Sequence, residues 1–220
     1  MSYADIEERK QQLIRKALKG SVFIAEITAD AITALTAGAT ADLSPLPTGY
    51  SDLGWLTEEG MPFGRDVGQS NVTSFGSQTP TRSDVTSDTT TLTVIPQETK
   101  GVTIGLYTGA DMAAIEAAFT TGETWIEKPE TTSSRFYRVL ALSVDHDDTG
   151  EEIYIARVMP RAKVTGYAAQ SYQGGDAAVT WGVTFTSEKD STLGYSEAYI
   201  FGGPGWLNLL ADMDITQATS

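Results

Sequence analysis

The chain contains no cysteine and a single histidine, His146. Without cysteine there is no thiol nucleophile, no disulfide staple and no cysteine-ligated zinc, and the redox compartment stays undetermined. No apolar run reaches the roughly 18 residues of a spanning helix, so no membrane anchor is expected. The first twenty residues, MSYADIEERKQQLIRKALKG, are charged throughout. They lack the apolar core of a secretory leader, so folding in the cytoplasm is expected. Positive charge is also scarce: 15 Lys and Arg stand against 29 Asp and Glu, for a net charge of −14. Tight nucleic-acid binding rests on many cations at phosphates, and a body of this sign repels phosphate instead. Five of the bases (Arg9, Lys10, Arg15, Lys16, Lys19) lie in the first twenty residues against three acids (Asp5, Glu7, Glu8). That segment is net +2, which leaves −16 on the rest of the chain.

What is present is β-pattern. Val179, Trp181, Val183 and Phe185 alternate with Thr180, Gly182, Thr184 and Thr186. Period two with β-branched and aromatic residues marks a strand with one dry and one polar face. The polar face here is threonine and glycine with no charge, whereas a strand facing bulk water more often carries Lys or Glu. This strand is therefore expected to present a hydroxyl surface to something specific.

The 220 residues suffice for one large β domain or two small ones, with a core that needs neither metal nor disulfide. Residues 3–19 are predicted as a helix capped by Ser2 or Asp5, with an apolar stripe of Ile6, Leu13, Ile14, Ala17 and Leu18. Ser21–Thr28 reads as a strand. Residues 29–66, rich in Ala, Thr, Gly and Pro, read as a long loop with a short helical turn near Asp30–Leu35. That loop nevertheless carries Leu43, Leu46, Tyr50, Leu53, Trp55, Leu56, Met61 and Phe63, which need burial. NVTSFG and DTTTLTVI are strand-like, with a polar turn between them. Pro96–Leu106 is open between helix and strand, and Asp111–Thr121 is predicted as a short helix. Glu123–Lys128, the hairpin formed by Arg135–Val144 and Ile153–Met159, Val164–Gln170, Val179–Thr186 and Ser196–Phe201 complete the pattern. GGPGWLNLL reads as a turn with an apolar anchor, and the last residues as a loose tail. Many short strands and few helices predict a mainly β fold, a sandwich or barrel. To it are added a short flanking α-helix, an N-terminal helix and a long inserted loop. The division is a helical arm at 1–20, a β domain at 21–205 and a tail at 206–220.

The densest polar cluster is Asp145-His146-Asp147-Asp148-Thr149-Gly150-Glu151-Glu152. Its opening matches a calcium loop, but Ala156 stands where a bidentate Glu is required and a strand follows. A lone Asp-Thr-Gly triplet lacks the second facing carboxylate of an aspartic protease, and no G-x-S-x-G elbow accompanies His146. A solvated hairpin tip accounts for the composition, with adventitious or inter-subunit cation binding as the alternative. The glycines have no phosphate-loop spacing. Most aromatics are expected in the core, since few cations surround Trp181 or Trp206 as a nucleic-acid platform would require. No cofactor, no metal and no enzymatic activity are expected.

Two segments carry a family resemblance. GYSDLGWLTEEG resembles the "dlGyltedG" segment of bacteriophage tail tube proteins, and VTWGVTFTSEKDSTLGYSEAYIF resembles their closing strands. The order between them, a strand pair, a short helical segment and then long strands, is similar over roughly residues 20–205. The resemblance is closest to the major tail proteins of long-tailed phages. It implies a β-sandwich with a helix on its flank, six copies per ring, and inner-sheet strands joined between neighbours into a barrel around a channel. Rings would stack through the loop and termini, with other tail proteins at the tube ends. Genomic DNA would pass without specific binding, in a virion tail assembled in the host cytoplasm. On that reading Thr180, Thr184 and Thr186 face the lumen, with Asp147, Asp148, Glu151 and Glu152 as further candidates. The apolar residues of the 29–66 loop, Leu43 to Phe63, would find their packing partner in an adjacent subunit or ring. The competing expectation is a carbohydrate-binding or adhesive β-sandwich with Trp55, Trp206 and nearby tyrosines on one exposed face.

Overall fold

The computed structural model describes residues 2–130 and 135–218. Its strands are β1 (Lys19–Glu26), β2 (Thr36–Ala37), β3 (Asp42–Leu43), β4 (Ser51–Asp52), β5 (Phe63–Val72), β6 (Arg82–Val94), β7 (Tyr137–His146), β8 (Glu152–Tyr167), β9 (Val183–Ser187) and β10 (Ala198–Gly202). Two α-helices, α1 (Gly101–Thr108) and α2 (Pro204–Leu209), complete the mainly β fold. One eight-stranded antiparallel sheet runs β4-β1-β7-β8-β9-β6-β5, with β10 also paired to β8. β2 and β3 form a separate small pair.

β8 organises the sheet. Its first half is flanked by β7 and β10, and its second half pairs with β9. The sheet folds over one core in which Val22, Ile24, Val139 and Met159 from the β1–β7–β8 side meet Leu92, Val94, Val183 and Phe185 from β6 and β9. Leu106 of α1 and Leu53 close that core. A second cluster lies on the other face of β7 and β8, where Leu140, Leu142, Tyr154, Ala156 and Val158 pack against Ile32 and Leu35. β7 is therefore buried on both faces, which is why its sequence YRVLALSVDH is a near-continuous apolar run rather than an alternating one.

α1 settles the open reading of Pro96–Leu106. The Thr103 hydroxyl accepts the Lys100 N–H at 3.0 Å, satisfying a donor at the helix start. Gly109, at φ 77°, ends the helix by donating its N–H to Gly105. Pro96 lies ahead of the helix, bridged to Leu56.

Several elements correct the sequence expectations. The N-terminal segment is not a helix: it holds only 3-10 turns at Tyr3–Asp5 and Gln11–Leu13. Its apolar stripe stays largely uncovered: Leu13 is half-buried, and Ile6, Ile14 and Leu18 are exposed. The segment instead lies along the β7–β8 end, with the Lys16 N–H donated to Asp145 at 3.0 Å and the Leu18 N–H to Val144 at 3.0 Å. Tertiary contacts thus override helix propensity. Asp111–Thr121 contributes only the turn Met112–Ala114, capped by Asp111. Glu123–Lys128 is not a strand. Val164–Gln170 is no separate strand, because β8 runs on through a bulge between Val164 and Gly166. β9 starts only at Val183. The GGPG segment opens α2, with Pro204 in its first turn.

The β5–β6 hairpin leaves the body of the fold. β9 covers β6 only from Thr91 to Val94, while β5 and β6 stay paired out to Val72 and Arg82. From Gly64 to Asp88 every residue is exposed except the half-buried Gly68. The projecting ribbon is about 30 Å long at the rise of a β-strand.

Candidate assembly surfaces

The outer face of β8, β9 and β6 is a hydroxyl ladder. Inward-facing Leu92 and Phe185 are register partners, so Thr91, Thr93, Thr184 and Thr186 all point outward. Thr93 and Thr184 share a hydrogen bond at 3.1 Å, and Thr165 and Thr186 share one at 2.6 Å. Neighbouring hydroxyls that satisfy one another leave fewer free donors and acceptors toward a passing group. Gly64, opposite Thr91, continues the face into β5, and a methyl group there would meet the Thr91 hydroxyl at 2.7 Å. The end of the ladder carries charge. Lys163 reaches Glu188 at 2.5 Å, and Arg161 approaches the same carboxylate at 3.8 Å while lying 3.5 Å from the centre of the Phe136 ring.

Of the lumen candidates read from sequence, Thr184 and Thr186 fall on this face. Thr180 precedes β9 and accepts the Gln170 side-chain amide at its carbonyl, 2.9 Å away. Asp147, Asp148, Glu151 and Glu152 lie at the β7–β8 tip beside α2, a dozen residues along β8 from Thr165. The structure does not bring them to the ladder. There Asp147 organises the turn. Its Oδ1 accepts from the Thr149 hydroxyl at 2.6 Å, the Thr149 N–H at 2.8 Å and the Glu151 N–H at 2.9 Å, and its Oδ2 accepts from Asn208 at 3.3 Å. The Thr149 hydroxyl, ahead of the other donors, holds the Asp147 pKa down at about 2. Burial, and then its hydrogen bond to Glu152 at 2.5 Å, push the Tyr154 phenol up to about 12.

The loop residues expected to await a neighbour divide differently. Leu53 is fully buried in the main core, where Leu56, Met61 and Phe63 also pack. Leu46 and Tyr50 pack on the second cluster, and the Tyr50 hydroxyl donates to the Asp30 carbonyl at 3.2 Å. These six pack within their own subunit, Leu53 fully and the others partly, so they do not depend on a neighbour for cover. Leu43 and Trp55 remain exposed, Trp55 to 78%. The β5–β6 arm, by contrast, has no cover from its own subunit. Of its two strands the sequence reading reached only the ends, because β5 begins at Phe63 inside the expected loop and β6 begins at Arg82 inside the expected turn.

The arm is rooted firmly. The Arg157 guanidinium lies 3.7 Å over the Phe63 ring and 4.4 Å over Tyr199, and hydrogen-bonds Glu197. Glu197 in turn accepts from the Thr90 hydroxyl at 2.9 Å. Above the root, Arg65 makes a two-pronged contact to Asp88 at 2.8 and 2.5 Å, and this pairing holds the Asp88 carboxyl below its usual range. All eight arginines of the chain lie within 4.0 Å of a carboxylate. Little guanidinium is left over for phosphate, which Arg otherwise grips through paired hydrogen bonds.

A sequence profile described as phage tail tube protein matches residues 8–196. The chain belongs to that family. Membership gives it a structural role in a phage tail, as one of many copies forming a tube together with other tail proteins. The folded sheet, the flanking α1 and the β5–β6 arm are this family member's version of the mainly β tail tube fold. No curated protein matches the chain.

Proposed function

We propose that the chain self-assembles into hexameric rings, that the rings stack into the tail tube, and that the hydroxyl face of β8, β9 and β6 lines the channel through which DNA is ejected. The observation that carries this reading is the β5–β6 arm. A two-stranded ribbon is marginally stable on its own, yet this one extends well past the body with nearly every side chain exposed. Val67, Val72, Phe75 and Val85 are among those side chains. An arm of this kind gains cover from a neighbouring copy, and its unpaired strand edges are protected in the same step. The channel assignment follows from chemistry. DNA that must pass every ring is slowed by any repeated charge-assisted contact. A surface of self-paired hydroxyls on a subunit of net charge −14 offers few. Repulsion of phosphate by this negative subunit reaches out to the screening length of about 8 Å at physiological salt.

Replacing residues 69–86 by an Asn-Gly turn, which joins the register partners Gly68 and Ser87, tests the arm. The variant should keep the thermal unfolding transition of the core and remain a soluble, unpolymerised species by negative-stain microscopy. Tubes formed by the shortened protein would overturn the assignment.

A further inference from the structure

We propose that Glu188 keeps the hydroxyl face from gripping DNA, by neutralising Lys163 and Arg161, the two cations that β8 places on that face. The inference rests on the channel reading above and assigns one residue the task of charge masking within it.

Three observations carry it. Lys163 is the register partner of Thr186, so it belongs to the outward threonine ladder and not to the core. Arg161, two residues earlier with buried Ala162 between them, projects the same way. Glu188 follows Ser187 at the end of β9, and its N–H donates to the Arg161 carbonyl at 2.8 Å. The carboxylate is thereby fixed beside both cations, with one oxygen 2.5 Å from Lys163 and the other 3.8 Å from Arg161. The three side chains are each about one-third exposed, so they stand at the surface where a passing phosphate would meet them. Nearby Asp190 feels the Arg161 charge only as a minor influence, and its oxygens are engaged elsewhere. It accepts the Leu193 and Thr192 N–H groups at 3.0 and 2.8 Å and lies 3.6 Å from Arg138. Glu188 is therefore the carboxylate that Lys163 shares with Arg161. Lys189, exposed just past β9, has no carboxylate within 4.0 Å among the described residues and sets the wild-type baseline.

Without the Glu188 charge, each subunit would present a lysine and an arginine on an otherwise hydroxyl wall. Repeated around a ring and along a tube, such sites form a polycationic track of the kind that binds DNA without sequence preference. Binding of that kind falls steeply with salt.

The test uses full-length protein polymerised into tubes, checked by electron microscopy, and a fluorescent DNA duplex co-sedimented with them. Wild-type tubes should retain little duplex at about 50 mM salt. Glu188→Gln tubes should retain at least tenfold more, most of it released by about 200 mM salt. Glu188→Asp should behave as wild type, and Lys163→Gln combined with Glu188→Gln should lose most of the gain. Normal Glu188→Gln tubes that retain no more duplex than wild type would overturn the masking role, as would a Glu188→Gln protein that folds but cannot polymerise. Should Glu188→Gln fail to fold, Glu188→Thr is read the same way. Thr184→Arg tubes separate this inference from the channel reading. If they retain duplex while Glu188→Gln tubes do not, only the masking role fails. If neither retains it, the face does not meet DNA and the channel reading fails with it.

Discussion

At the scale of single residues, several polar side chains of the arm root and the ladder satisfy one another. Arg157 is sandwiched between two rings and bound to Glu197, Arg65 is bound to Asp88, and the threonines of the ladder are paired hydroxyl to hydroxyl. Asp147 does the same for the β7–β8 turn, and its depressed pKa makes the consequence measurable. A carboxyl whose folded pKa is about 2, against an ordinary 3.8, stabilises the fold fully above pH 3.8. That contribution fades as the pH falls toward 2, where the folded form too takes up its proton. Asp147→Ala should therefore lower the melting temperature at pH 7. The gap to wild type should narrow between about pH 4 and pH 2 in melts followed by circular dichroism. A gap that is constant across that range would show that the carboxylate charge contributes nothing to the turn.

At the scale of elements, the arm and its root decide what the subunit can join. The Arg157–Glu197 pair is mostly buried, with side chains 17% and 10% exposed. Removing one partner of such a pair leaves an uncompensated charge and costs about 3–5 kcal/mol. Glu197→Gln should destabilise the protein by an amount toward the low end of that range, since the amide still accepts one hydrogen bond. It should also raise hydrogen exchange at Phe63–Asp66 and Thr89–Thr91 more than in β7. Uniform change across the sheet would mean that the pair serves general stability and not the arm root.

Much of this element-level order was legible in the residues. The β7–β8 hairpin, the dry face of β9 and the second half of β6 follow from runs of apolar and alternating residues. The rest of the β5–β6 hairpin does not: β5 runs over Phe63–Val72, where a loop and then a strand at 71–76 are expected, and the expected turn at 78–84 reaches into β6. The N-terminal helix was misread, because capping and charge placement describe an isolated helix, whereas here the backbone of Lys16 and Leu18 is claimed by Asp145 and Val144. The 29–66 loop was misread because composition cannot tell where a buried partner resides. Leu53 sits in the core because its N–H donates to Val22 across the edge of β1, a contact distant in sequence. Thr184 and Thr186 were legible as an outward pair. Lys163 and Glu188 were not, since their meeting depends on the register between β8 and β9 and on the bulge at Gly166.

At the scale of the whole molecule, the subunit has one face of hydroxyls with quenched charge and one arm without cover, on a single curled sheet. In the proposed function, assembly uses the arm and passage of DNA uses the face. The absence of native cysteine makes the location of that face directly measurable. Thr165, exposed and on the ladder, can be replaced by cysteine as the only thiol of the chain. In free subunits Thr165→Cys should react with both a small alkylating reagent and a maleimide bearing a polymer wider than a DNA channel. In assembled tubes it should still react with the small reagent and be protected from the large one. Equal reaction with the bulky maleimide before and after assembly would place the hydroxyl face on the outside of the tube and contradict the account.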